Sequence, residues 1–123
     1  MSNVMPPPVS VSQASVLLGA DAEFGLSARA LVSLRSLFAT QPLIRRAIVY
    51  GSRAKGNYRP GSDIDITLDA PDLGFDAYLR LCSKADDLML PWRIDLSLLP
   101  QIDNPDLLDH IERVGKPLWI KKD

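Results

Sequence analysis

Cysteine and histidine are nearly missing from this chain. Among 123 residues there is one cysteine, Cys82, and one histidine, His110. A lone cysteine excludes an internal disulfide framework and a multi-cysteine zinc site. A lone histidine excludes the HExxH type of metal site. An excess of charge of one sign is missing too, since fourteen basic and fifteen acidic residues leave a formal net charge of −1. Extended nucleic-acid binding by bulk charge needs many unbalanced Lys and Arg, so it is not expected. No apolar run approaches the roughly 20 residues that span a bilayer. The start, MSNVMPPPVS, lacks a basic segment and places a proline triplet where an apolar signal region would begin. The expected location is therefore the cytoplasm, with no membrane contact.

What remains is ordinary globular material, 46% hydrophobic and 24% charged. The length suits one domain. Residues 1–25 are weakly patterned, and Pro6-Pro7-Pro8 favours extended polyproline geometry. They read as a flexible N-terminal arm, with residues 26–123 as the folded domain.

Ser27 is a good N-cap for a helix whose Leu31, Leu34, Leu37 and Phe38 recur at steps of three and four. Each leucine fully buried on that stripe contributes about 1.5–3 kcal/mol. Gln41-Pro42 ends it, because the residue before proline disfavours the helical well. Ala47 to Tyr50 reads as a buried strand stopped by Gly51, and Gly51 to Gly61 as a polar, basic loop or a loop plus short helix. Asp63 to Asp69 alternates polar and apolar, giving a strand with Ile64, Ile66 and Leu68 on its buried face. Phe75 to about Leu90 is predicted helical, with Tyr78, Leu79, Cys82, Ala85 and Met89 inward. Arg93 to Leu98 alternates again, with Ile94, Leu96 and Leu98 buried. Asn104-Pro105 caps a last helix that runs to about Val114, where Gly115 ends it. Pro117 to Lys121 is a short, final strand suited to a sheet edge. The expectation is an α/β (α+β) fold: a small mixed β-sheet with helices packed on one face and an open face carrying carboxylates.

Three features of that open face point to chemistry. Gly51-Ser52 directly follows a buried strand, where a glycine permits a sharp turn and successive N–H groups can face an anion. Asp63 and Asp65 lie two residues apart, so a strand puts both carboxylates on one side. Like charges so close repel, and a fold tolerates them when a cation sits between them; oxygen ligands select hard cations such as Mg²⁺ or Mn²⁺. Asp95, on the next alternating strand, joins them if the two strands are neighbours. Three carboxylates can hold two metals for in-line displacement at phosphorus.

Ten residues separate Ser52 from Asp63, giving G-S-x10-D-x-D. This pattern resembles the signature of the DNA polymerase beta-like nucleotidyltransferase superfamily. Gly51-Ser52-Arg53-Ala54-Lys55-Gly56 with Pro60-Gly61-Ser62-Asp63-Ile64-Asp65 is similar, more closely, to the minimal nucleotidyltransferases paired with HEPN proteins in toxin–antitoxin modules. The tail from Asn104-Pro105 through His110-Ile111-Glu112-Arg113-Val114-Gly115-Lys116 is also similar to the end of that family. The resemblance covers roughly residues 26–122. It implies that Gly51 and Ser52 hold a nucleoside triphosphate, with ATP as substrate. It implies that Asp63, Asp65 and Asp95 bind Mg²⁺, with Mn²⁺ as a possible substitute, and carry the catalysis. Arg53, Lys55 and Arg59 lie in the loop that must face the phosphates and are secondary candidates for nucleotide binding by Coulomb attraction.

The resemblance further implies transfer of AMP to a hydroxyl of a HEPN-type partner, with this chain as antitoxin in a homo- or hetero-oligomer. Two alternatives stay open: a non-catalytic binding antitoxin or scaffold, and a small-molecule, aminoglycoside-type nucleotidyltransferase. Ser52 is a poor nucleophile candidate because no histidine lies near it in sequence to activate it. His110 reads as a surface or packing residue, Cys82 as core, and Tyr58 as an exposed loop tyrosine. Trp92 and Trp119 read as packing or partner-interface residues.

Overall fold

The computed structural model describes residues 23–122. The expected N-terminal arm therefore lies outside the described residues through position 22. Its last three residues are described, and they belong to the domain. Glu23–Gly25 form a 3-10 turn. Glu23 pairs with Arg35 at 3.2 Å, and the Phe24 carbonyl accepts from the Arg53 guanidinium.

The first helix, α1, spans Ala28–Ala39, and the Ser27 side chain accepts the Ala30 N–H as its cap. The other elements are β1 (Arg46–Tyr50), the single-turn α2 (Ser52–Lys55), β2 (Ile64–Asp69), α3 (Phe75–Asp87), β3 (Ile94–Leu98), α4 (Pro105–Val114) and β4 (Lys116–Ile120). The four strands form one mixed sheet in the order β3-β2-β1-β4. β1 runs antiparallel to β2 and to β4, whereas β2 and β3 are parallel, as a helical crossover requires. No helix among the described residues is long and apolar enough to cross a membrane.

The core lies on one face of this sheet. Leu31, Leu34, Leu37 and Phe38 of α1 pack against Ala47 and Val49 of β1, Ile64, Ile66 and Leu68 of β2, and Leu96 and Leu98 of β3. The strand alternation is realised for Ile64, Ile66, Leu68, Leu96 and Leu98, whereas Ile94 is only partly buried and Thr67, on the opposite face, is fully buried. The inward stripe of α3 differs from the expected one. Leu81 and Ala85 are its buried residues, with Tyr78, Cys82 and Leu88 partly buried beside them. Leu79 and Met89 are exposed instead, at 47% and 85%. The helix ends at Asp87, and Met89 follows in a left-handed turn (φ 55°), out of phase with the stripe. Tyr78, Cys82 and Ala85 lie on the inward side as expected, whereas Leu81 and Leu88 take the places expected of Leu79 and Met89.

The opposite face is narrower than alternation alone implies. Ile48 points there, between Arg46 and Tyr50, yet it is buried. Gly115, which ends α4, passes close to it. A β-carbon on Gly115 would sit 2.8 Å from Ile48 Cγ2 and 2.4 Å from the Ile111 carbonyl oxygen. Gly115 is extended (φ −61°), so close approach rather than left-handed geometry requires glycine here. α4 therefore covers part of this face around Ile48, and the carboxylate-bearing part is left open.

Candidate active site

β2 brings Asp65 to the open face, and strand pairing decides what stands beside it. In the antiparallel β1–β2 ladder Tyr50 is the register partner of Asp65. In the parallel β2–β3 ladder the partner of Asp65 is Asp95. Tyr50, Asp65 and Asp95 thus form one row across the sheet, with Asp63 just ahead of β2. Asp63 and Asp95 are exposed, while Asp65 is half-buried. Its carboxyl is held above the ordinary value of 3.8, first by burial and then by the negative charges of Asp95 and Asp63. The Tyr50 hydroxyl is likewise pushed up, chiefly by burial and further by the negative charges of Asp65 and Asp95.

Gly51 closes over the row. It adopts φ 75°, ψ −153°, a region open in practice only to glycine. A β-carbon there would lie 2.6 Å from Asp65 Oδ2. The bend and the carboxylate are therefore in contact, although fourteen positions part them in sequence. Ser52 starts α2, and its carbonyl accepts from the N–H groups of Gly56 and Asn57.

Among the described residues no three acidic, histidine or cysteine side chains converge as a ready-made metal cage. The donor set still suits a hard divalent cation. The negative charges of Asp95 and Asp63 make ionisation of Asp65 costlier, and an oxygen-seeking cation would relieve it.

Arg53 is placed elsewhere than the phosphate-facing position expected for it. It is only 2% exposed. Its guanidinium donates to the carbonyls of Ser62, Pro60 and Phe24 at 2.9–3.1 Å. It also lies over the rings of Tyr58 and Trp92, at 4.9 and 5.4 Å from their centroids. Its donors go to two carbonyls of the loop and one of the Glu23–Gly25 turn, so Arg53 clamps residues 57–62 and that turn to the domain. Tyr58 and Trp92 belong to the same clamp, and the Trp92 indole donates to Pro60 O at 2.9 Å. Lys55 and Arg59 are exposed, and Lys55 borders a shallow cleft with Glu23, Phe24, Gly56, Tyr58 and Lys116.

Sequence reasoning missed Tyr50 and His110. The Nε2 of His110 accepts the Gly51 N–H at 3.1 Å, and its ring meets Tyr50 edge-on at 6.2 Å. A lone histidine far down the chain carries no local signal of this contact. Tyr50 did carry one, since it alternates with the core residues Ala47 and Val49 through Ile48 and must face the carboxylates.

A family model described as Polymerase beta, Nucleotidyltransferase matches residues 33–123. The chain belongs to this family. It is a nucleotidyltransferase domain, and the row of acidic residues beside a Gly-Ser bend lies within the matched segment. Similar solved structures include toxin–antitoxin complexes. One is a toxin–antitoxin complex with AMP-PNP, 26% identical, with TM-score 0.61, covering 75% of this chain and 74% of that one. A variant of an MntA toxin–antitoxin complex is 27% identical, with TM-score 0.57, covering 72% and 71%. The MNT antitoxin in complex with a tri-AMPylated HEPN toxin from Shewanella oneidensis is 23% identical, with TM-score 0.55, covering 75% and 71%. At that identity the likeness is one of fold. No curated protein matches the chain.

Proposed function

We propose that this nucleotidyltransferase transfers AMP from ATP to a hydroxyl of a partner protein, with Mg²⁺, as the antitoxin of a HEPN/MNT pair. The observation that carries the reading is the contact of Gly51 with Asp65, in a row that continues to Asp95. A phosphate-holding bend and the acidic row are thereby within reach of one nucleotide. The similarity to a toxin–antitoxin complex with AMP-PNP supports ATP as the donor and a toxin as the partner. The HEPN class of the partner rests on the motif resemblance.

In this reading the acceptor oxygen bonds to the α-phosphorus, pyrophosphate leaves, and the acceptor proton is released. Gly51 and Ser52 hold the triphosphate through backbone N–H groups and the Ser52 hydroxyl. Asp63, Asp65 and Asp95 would hold the divalent cation, which when bound neutralises charge on the phosphate oxygens. In the same reading Asp95, the exposed end of the row, would also take the acceptor proton. Alignment and charge compensation suffice, so no covalent protein intermediate is needed.

The test combines α-labelled ATP, Mg²⁺ and the HEPN-type product of the neighbouring reading frame. The label is expected on the partner with wild type and to be lost with Asp63→Asn and Asp65→Asn. Protection of the partner that survives both substitutions would favour neutralisation by binding alone.

A further inference from the structure

We infer that His110 is a positioning residue for the nucleotide-holding bend, an inference that rests on the transferase reading above. His110 stands in α4, 59 positions beyond Gly51, yet its Nε2 accepts the Gly51 N–H at 3.1 Å. An imidazole that accepts at Nε2 is neutral and carries its proton on Nδ1.

The backbone it holds is strained. Gly51, at φ 75°, ψ −153°, keeps this conformation only where its surroundings over-determine it. From the chain side, β1 leads into it and its carbonyl accepts the Lys55 N–H at 3.1 Å. From the other side, His110 holds its N–H. The imidazole is fixed in turn, because its ring meets Tyr50 edge-on (81° between planes) and its neighbour Ile111 is buried. α4 thus secures the turn that presents Ser52 and seats Gly51 on Asp65. Loss of the acceptor would loosen that turn and leave all three aspartates in place. The defect should appear in nucleotide affinity, and in KM for ATP more than in kcat.

Two variants separate the hydrogen bond from packing. His110→Phe keeps a ring against Tyr50 and removes the acceptor. His110→Gln removes the ring and restores an acceptor oxygen at comparable reach. In calorimetry with Mg²⁺ and a non-hydrolysable ATP analogue, affinity should fall about 3- to 10-fold in His110→Phe, as for one lost hydrogen bond, and about 2-fold or less in His110→Gln. A role in packing alone would give the reverse order. Equal affinity of wild type and His110→Phe, or His110→Gln as weak as His110→Phe, overturns the inference while leaving the transferase reading intact. A wild type that binds no ATP overturns both. If His110→Phe does not fold, NMR of ¹⁵N-labelled wild type decides. An unprotonated Nε2 coupled to the Gly51 amide proton supports the bond, and a protonated Nε2 refutes it.

Discussion

Removing the charge of Asp65 should stabilise the apo protein while abolishing its activity. Asp65 is half-buried, with Asp95 as its strand neighbour and Asp63 two positions ahead. Adjacent strands lie about 4.8 Å apart. Two unit charges at about 5 Å repel by about 1 kcal/mol in water and about 3 kcal/mol at the effective dielectric near a protein surface. Asp95 is exposed, so solvent screening favours the lower figure. Asp65→Asn should therefore gain about 1 kcal/mol, a rise in Tm of about 3–5 °C for a domain of this size. The assay is thermal unfolding in EDTA at neutral pH, repeated with Mg²⁺ and ATP. The folded carboxyl is held above its ordinary value, so the folded state binds that proton more tightly than the unfolded chain does. Its contribution is full below the ordinary value of 3.8 and is lost as pH rises through the raised one. The advantage of Asp65→Asn should accordingly vanish as pH falls towards 3.8. Added Mg²⁺ and ATP should raise the wild-type Tm and leave that of Asp65→Asn nearly unchanged, because ligand bound only to the folded state stabilises it. A variant that melts at or below wild type in EDTA refutes the reasoning.

Three further outcomes are expected. Arg53→Ala should destabilise by on the order of 3 kcal/mol, since three carbonyls lose a charged donor at a buried site. Arg53→Lys should recover little of this in chemical denaturation, because one ammonium cannot reproduce the fork that spans Ser62, Pro60 and Phe24. Gly51→Ala should cost about 1–3 kcal/mol in backbone strain and press on Asp65 Oδ2, so that nucleotide transfer is lost in protein that still shows a cooperative melt. Tyr78 donates to the Leu96 carbonyl at 2.7 Å on the edge strand β3. Tyr78→Phe should cost about 1 kcal/mol in denaturant unfolding and leave transfer unaffected.

The strands and their faces were legible because a half-buried strand writes its burial with a period of two. Ile64, Ile66 and Leu68, and likewise Leu96 and Leu98, could face only one way once the carboxylates faced the other. α1 was legible for the same reason at the helical period. On α3 the spacing points correctly to Tyr78, Cys82 and Ala85 but not to Leu81 over Leu79, because both are leucines and only packing against the sheet decides between them. The placing of Arg53 was not legible either. A basic residue in a polar loop reads as a solvated or phosphate-facing charge, whereas three carbonyls and two aromatic rings from Phe24, Tyr58, Pro60, Ser62 and Trp92 bury this one. That environment is assembled from positions scattered between 24 and 92 and has no spacing a sequence could display. His110 escaped notice for the same cause.

Both edges of the sheet carry side-chain contacts. β3 and β4 would each offer unpaired carbonyls to a foreign strand. On β3 the Leu96 carbonyl is taken by the Tyr78 hydroxyl, and on β4 the Leu118 carbonyl accepts the Arg35 Nε at 2.8 Å. Pro117 removes a donor from β4, and the register shift of β4 against Ala47/Ile48 bends that edge. Side chains from the core-face helices thus take one carbonyl on each edge; the buried Ser97 hydroxyl stays unpartnered, and on the open face stand the carboxylates of Asp63, Asp65 and Asp95. These are groups that a cation and a nucleotide would satisfy. The instability concentrated at Asp65 is therefore tolerable because the rest of the scaffold is closed, and a single charge reversal there, Asp65→Lys, tests this directly. It should restore apo stability through attraction to Asp63 and Asp95 while blocking ATP binding. A melt for Asp65→Lys below that of wild type in EDTA would show that the row is not governed by its charge.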